Sequence, residues 1–262
     1  MSPRTTRGSI LSHPRARPAL VLSLALAVAL IGGCKAKPLD QGQTTTFLGS
    51  GSKLTDNELY PFHKIWLDPT WNAADKKTVY IAPVDTDFVK QATWWTQANL
   101  KGNAEQMEQD LANLATRTRA EFEKRFREDP KHRFTVVDAP RADSLTFELA
   151  LVDVVPNKAA LGALGLAATV VAAPVGAAIA AKETAKGSVA IEGRIKDGAG
   201  RTVGKWADRE KGKFGPINLR RATWYGEINK IVEEWAEQWV RIANAEPGEK
   251  VKDTRTFTLM PW

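Results

Sequence analysis

Two runs that alternate apolar and polar residues flank a stretch without a single charge, and no other feature of the chain constrains its fold so strongly. Leu145, Phe147, Leu149 and Leu151 alternate with Thr146, Glu148 and Ala150, while Val189, Ile191 and Ile195 alternate with Glu192, Arg194 and Lys196. A period of two sends successive side chains to opposite faces, so both runs predict strands with one buried face. Asp197-Gly198-Ala199-Gly200 reads as a turn, and Thr202 to Asp208 resumes strand character, which makes a hairpin. Between the first two strands lie 23 uncharged residues, Ala159 to Ala181. Whatever these do, the strand after them must return to the sheet of the strand before.

Helical periodicity supplies a layer to cover that sheet. Met107, Leu111, Leu114, Thr118 and Phe122 recur at spacings of three and four behind Asn103-Ala104-Glu105-Gln106, which reads as a capping box, and the helix ends before Pro130. A second helix is expected from Thr223 to Ala243, with Ile228, Ile231, Val232, Trp235, Trp239 and Ile242 on one stripe, a Glu237–Arg241 pair, and Pro247-Gly248 as its stop. Shorter strands are expected at Thr78 to Val84, where Pro83 places the end at an edge or loop, at Phe134 to Asp138, and in the tail from Thr254 to Met260. Thr44 to Asn72 is rich in large apolar groups without periodicity and reads as an irregular segment packed on the domain. The order of elements predicts an α+β fold, a mixed sheet with helices packed against it and an Ala/Gly-rich apolar insertion between strands.

The one cysteine, Cys34, follows Ile31-Gly32-Gly33 at the end of an uncharged run from Ala19, with Arg4, Arg7, Arg15 and Arg17 ahead of it. Cationic residues, a short apolar run and small residues before a cysteine are the parts of a lipoprotein export signal. The run is shorter than the roughly 20 residues that a spanning helix needs. The expected organisation is therefore a signal peptide over 1–33, a lipidated Cys34 with a short tether over 34–43, and a single domain over 44–262 carrying the insert 159–181. Acyl chains such as palmitate on Cys34 hold a protein on a lipid bilayer almost permanently. The residue after the anchor is Lys35, where an inner-membrane retention signal carries Asp, and this favours the outer membrane. With Cys34 consumed no disulfide is available, so stability rests on packing, to which nine Trp and nine Phe contribute.

Charge and catalytic inventory exclude several classes of function. Four of the 37 basic residues precede Cys34 and none of the 30 acidic ones do, which leaves a net charge of +3 for the mature chain. That excess gives no nucleic-acid footprint. Only His63 and His132 follow Cys34, and neither a zinc-type His pair nor a phosphate-binding glycine loop is present; no cofactor or metal is expected. Carboxylates remain as acid/base candidates: Asp85 and Asp87 after the first strand, and Glu148, Asp153 and Glu192 on or beside neighbouring strands, where Glu148 and Glu192 also suit solvent-facing positions. Trp94-Trp95 offers a ring for a glycan, peptide or lipid headgroup if one of the two is exposed. As one helix the insert would measure about 35 Å, enough to cross a hydrocarbon core, although Pro174 and its Ala/Gly content argue against this. Packing on the domain, contact with a membrane surface and self-association are all open to it.

Phe47-Leu48, Leu54, Phe62-His63-Lys64-Ile65-Trp66-Leu67-Asp68-Pro69, Gly187 to Ile195, Ala207-Asp208-Arg209-Glu210 and the helix containing Trp235 resemble the bacterial lipoproteins catalogued as domain of unknown function 3313. The resemblance covers most of the mature chain and implies no activity and no catalytic residue; the long Ala/Gly insert departs from it. The element order also looks like the small domain of periplasmic assembly factors, such as the curli-secretion lipoprotein and the lipoprotein activators of cell-wall synthases. The expectation is a non-enzymatic envelope lipoprotein whose partner is an envelope protein or cell-wall component, with homo-oligomerisation open to it. The alternatives are an oligomeric secretion or pore component that inserts 159–181 in a membrane, and a cell-wall hydrolase using the carboxylates.

Overall fold

A computed structural model describes residues 44–49, 54–70, 76–156, 158–166, 187–211, 225, 228–246 and 248–253. Cys34, the signal and the tether, most of the insert, the start of the last predicted helix and the predicted tail strand lie outside the described residues.

The described strands are β1 (Lys64–Leu67), β2 (Thr78–Ile81), β3 (Thr135–Val136), β4 (Ser144–Val155), β5 (Ser188–Lys196) and β6 (Thr202–Lys211). They form one mixed sheet in the order β1-β6-β5-β4-β2-β3. β4, β5 and β6 run antiparallel, as does β1 against β6, whereas β2 is parallel to both β4 and β3. The architecture is α+β, as the alternation and the helical stripes predict. The helices are α1 (Thr93–Ala98), α2 (Ala104–Arg127), α3 (Lys158–Ala163) and α4 (Ile228–Asn244).

One face of the sheet is the core. Leu145, Phe147, Leu149 and Leu151 of β4 share that face with Val189, Ile191 and Ile195 of β5 and with Trp206 of β6, in register across the ladder. α2 covers it through Met107, Leu111, Leu114, Phe122 and Phe126, and α4 through Ile228, Ile231, Val232, Trp235 and Trp239, with α2 packed along α4. The aromatic side chains join the layers: Phe126 meets Phe147 at 5.5 Å, Phe147 meets Trp239 at 5.2 Å, and Trp206 lies 5.5 Å from Trp239 and 4.6 Å from Phe62. Offset and edge contacts of this kind add to the burial of large rings. Gly193 faces the Trp206 indole, and a Cβ there would stand 1.9 Å from its Nε1, so β5 needs a residue without a side chain at this rung.

The structure departs from the sequence reading in three places, and it agrees with the argument against a single helix through the insert. β1 is a strand inside the segment read as irregular. Asn103 makes no side-chain cap; its amide donates to Ala98 O and Leu164 O, because the chain runs from α1 into α2 through one π turn with Gly102 at φ 85°. Trp94 and Trp95 are both buried, and the Trp94 indole donates to Val154 O at 2.7 Å. A single helix through the insert is ruled out at its start: α3 ends at Ala163, Gly165 turns the chain at φ 70°, and Ala160, Leu161 and Leu166 join the core. Among the described residues no helix is long and apolar enough to cross a membrane.

Candidate functional site

The opposite face of the sheet carries the polar alternation, and the first described residues of the chain lie across it. Even positions of β5, and of β4 as far as Ala150, point here, with Ala150 opposite Glu192, Glu192 opposite Ala207, and Glu148 opposite Arg194. The small side chains of Ala150 and Ala207 leave a shallow bed at the centre, and Thr45 with the 3₁₀ turn Thr46–Leu48 occupies it. Glu192 Oε1 accepts from the Thr45 backbone N–H, and Oε2 from the Thr45 hydroxyl, both at 2.7 Å. Arg194 donates to Phe47 O at 2.8 Å and lies over the Phe47 ring at 4.2 Å, while Lys205 donates to Leu48 O at 2.7 Å. Leu48 is 1% exposed and Glu192 is 0% exposed. Thr45 also closes the local turn, since its hydroxyl accepts from Phe47 N.

Burial raises the Glu192 pKa, because a carboxylate out of water is disfavoured; the two bonds from Thr45 oppose this without cancelling it. Alternation placed Glu192 correctly on the polar face and wrongly in solvent. The covering segment is 147 residues away in sequence.

The remaining carboxylates are held apart. Glu148 pairs with Arg194 at 2.7 Å and with Lys196 at 2.6 Å. Asp153 pairs with Arg209 at 2.6 Å, and a bulge between Leu151 and Asp153 is what turns it onto this face. Asp85 accepts from Asp87 N at 2.9 Å in a local turn, and the Asp87 side chain reaches Lys90 at 3.8 Å. Each acid/base candidate thus engages its own partner. Among the described residues no group of three or more His, Cys, Asp or Glu side chains is placed to hold a metal.

A second buried constellation, not anticipated from sequence, sits on the core face. Asp208 is 1% exposed and accepts from the Trp235 indole at 2.6 Å and from His63 backbone N at 3.1 Å, and it pairs with His63 Nδ1. Burial works against a charged His63 ring, yet the hydrogen bond and charge of Asp208, with the charges of Glu210 and Asp253, raise its pKa overall. Nε2 is the nitrogen from which a His–Asp pair acts on a nucleophile. Here it is buried without a hydrogen-bond partner among the described residues, and the contacts of Asp208 with His63 and Trp235 tie the start of β1 to β6 and α4. The signal for it was present in the resemblance, where His63, Asp208 and Trp235 fall in separate short motifs.

Two solved structures of the PelC dodecamer from Paraburkholderia phytofirmans are similar to the chain. One shares 8% identity at a TM-score of 0.37, covering 70% of this chain and 96% of that one. The other, a single-residue variant, shares 9% identity at a TM-score of 0.35, covering 66% and 95%. No curated protein matches the chain. Residues 43–239, from just before Thr45 to Trp239, match the family model described as protein of unknown function (DUF3313), and the chain belongs to that family.

Proposed function

We propose that the chain is a non-enzymatic envelope lipoprotein: Cys34 carries the lipid, and the α+β domain binds another envelope protein or a cell-wall component close to the membrane. The observation that carries this reading is the attachment of the chain to the sheet at Thr45, eleven residues beyond Cys34. A tether of that length reaches at most about 36 Å when fully extended, so an anchored domain works within a short distance of its bilayer. The separate engagement of Glu148, Asp153 and Glu192 favours binding over acid/base chemistry. Lys35 after the anchor favours the outer membrane.

The test is fractionation of cells given labelled palmitate. Label on the membrane-recovered wild-type chain, lost in Cys34→Ser, supports the reading. A wild-type chain without label, or label that persists on Cys34→Ser, contradicts the anchor.

A further inference from the structure

We propose that the solvent face of α2 pairs antiparallel with the same face of a second copy of the chain, with Thr116 on the two-fold axis and Glu105 of each copy beside Arg127 of the other. The charges of α2 are sorted along its length. Ala104 to Asp110 holds Glu105, Glu108 and Asp110 and no cation, Leu111 to Thr116 holds no charge, and Arg117 to Arg127 holds five cations against Glu121 and Glu123. The two ends therefore carry −3 and +3.

A helix on its own does not call for this arrangement. The helix dipole favours acids in the first turn and cations in the last, but its effect falls off within a turn, so it accounts for neither Asp110 nor Arg117 and Arg119. Charges that serve a single helix interleave at i,i+4. Here Glu123 serves both Arg119 at 2.9 Å and Arg127 at 3.2 Å, and Glu121 serves both Arg125 and Lys124. Two carboxylates among five cations leave positive charge over at this end. At the other end Lys90 takes Glu108 at 3.1 Å, while Glu105 is exposed and enters no ion pair among the described residues.

The geometry makes the face complementary to itself. Glu105, Gln109, Thr116, Ala120 and Arg127 are all exposed and fall within about 35° of one line along the helix, opposite the buried stripe. Glu105 and Arg127 each stand eleven residues from Thr116, about 16 Å along the axis. A two-fold axis through Thr116 exchanges the ends, so the acidic first turn of each copy meets the basic last turn of the other. A parallel pair would set like charges together. Ala112, Asn113, Thr116 and Ala120, all exposed, are short enough for the helix axes to close to the 8–10 Å of packed helices.

Residues 38–262 form one compact unit, so the form tested is the chain from residue 34 with Cys34→Ala, which has no thiol. Thr116→Cys added to it should give disulfide-linked dimers under mild oxidation at least about tenfold faster than Gln97→Cys, an exposed position on α1. Glu105→Lys or Arg127→Glu, each added to Thr116→Cys, should bring the rate down to that of Gln97→Cys. Mixing the two charge variants should restore it, because the mixed pair has opposite charges at both ends. Sedimentation of the Cys34→Ala chain with α2 unchanged should show a dimer at low salt that dissociates at about 1 M salt. Cross-linking at Thr116 no faster than at Gln97, charge variants that cross-link like their parent, a mixture that stays slow, a monomer at every concentration in low salt, or a dimer indifferent to salt would each overturn the pairing. None of these outcomes depends on whether Cys34 carries lipid.

Discussion

Replacing Gly193 by Ala should destabilise the domain far more than one methyl group suggests. The added Cβ would lie 1.9 Å from Nε1, 2.3 Å from Cε2 and 2.8 Å from Cδ1 of Trp206. Ordinary contacts of this kind begin near 3.4 Å, so the ring must retreat by about 1.5 Å or β5 must lift from the core. The ring has no room to retreat, since Trp206 is fully buried and held by Phe62 at 4.6 Å, Trp239 at 5.5 Å and Trp235 at 6.5 Å. Overpacking of a tight core costs about 1–3 kcal/mol and sometimes more, and Gly→Ala in a strand returns about 0.5–1 kcal/mol through chain entropy. Because a 1.9 Å approach calls for the upper end of the overpacking range, the expected net loss is about 2 kcal/mol, a large part of a typical stability of roughly 5–15 kcal/mol. Urea unfolding followed by tryptophan fluorescence should show a lower midpoint with an unchanged slope. Gly162→Ala, in α3 with nothing within 4 Å of its added Cβ, serves as control and should be neutral or slightly stabilising. A Gly193→Ala loss under about 0.5 kcal/mol would refute the packing argument.

Three further outcomes are expected. Trp235→Phe removes the indole N–H that Asp208 accepts at 2.6 Å, leaving a buried carboxylate short of a donor; the loss should be about 2 kcal/mol by urea unfolding, and less than about 0.5 kcal/mol would contradict it. His63 has a folded pKa raised above its ordinary 6.5, so its pairing with Asp208 contributes fully below that value and fades as pH rises through the folded pKa; the stability gap between wild type and His63→Gln should shrink from acid to alkaline pH, and a gap that widens would reverse the sign. Glu192 is likewise raised above 4.5, but as an acid its folded form binds the proton more tightly, so stability falls as pH climbs from the ordinary value through the raised one. Glu192→Gln keeps an acceptor for Thr45 N and should gain on the wild type across that window; a variant that tracks the wild-type pH curve would remove the burial argument.

Sequence reached the middle of the sheet and the faces of the long helices because these are set by local periods. The apolar positions Leu145, Phe147, Leu149 and Leu151 of β4 and Val189, Ile191 and Ile195 of β5 are all buried, as is every residue of the Met107-to-Phe122 stripe. β1 escaped because Lys64-Ile65-Trp66-Leu67 is four residues long and bears large apolar groups on both faces, which erases the period. The capping box failed because Asn103 follows a π turn at φ −94° and ψ 9°, outside the extended backbone from which an N-cap oxygen reaches the first helical N–H groups. Both tryptophans of α1 join the core, and Trp94 also donates to Val154 O of β4, a tertiary contact that no local pattern announces. The polar-face site was half legible: alternation assigned Glu192 and Arg194 to a face, but no local pattern announces that a segment 147 residues distant lies over them. The His63–Asp208–Trp235 link is hidden for the same reason, its members standing on β6, α4 and the approach to β1.

The most direct test of the account is the intact mass of the chain extracted by detergent from the membranes of cells that make it. The account predicts a chain beginning at Cys34, heavier than its residues by a thioether-linked diacylglycerol, with or without a further acyl group on the new amino terminus. A chain that keeps residues 1–33, or that begins elsewhere with an unmodified Cys34 thiol, would contradict the anchor on which the proposed function stands.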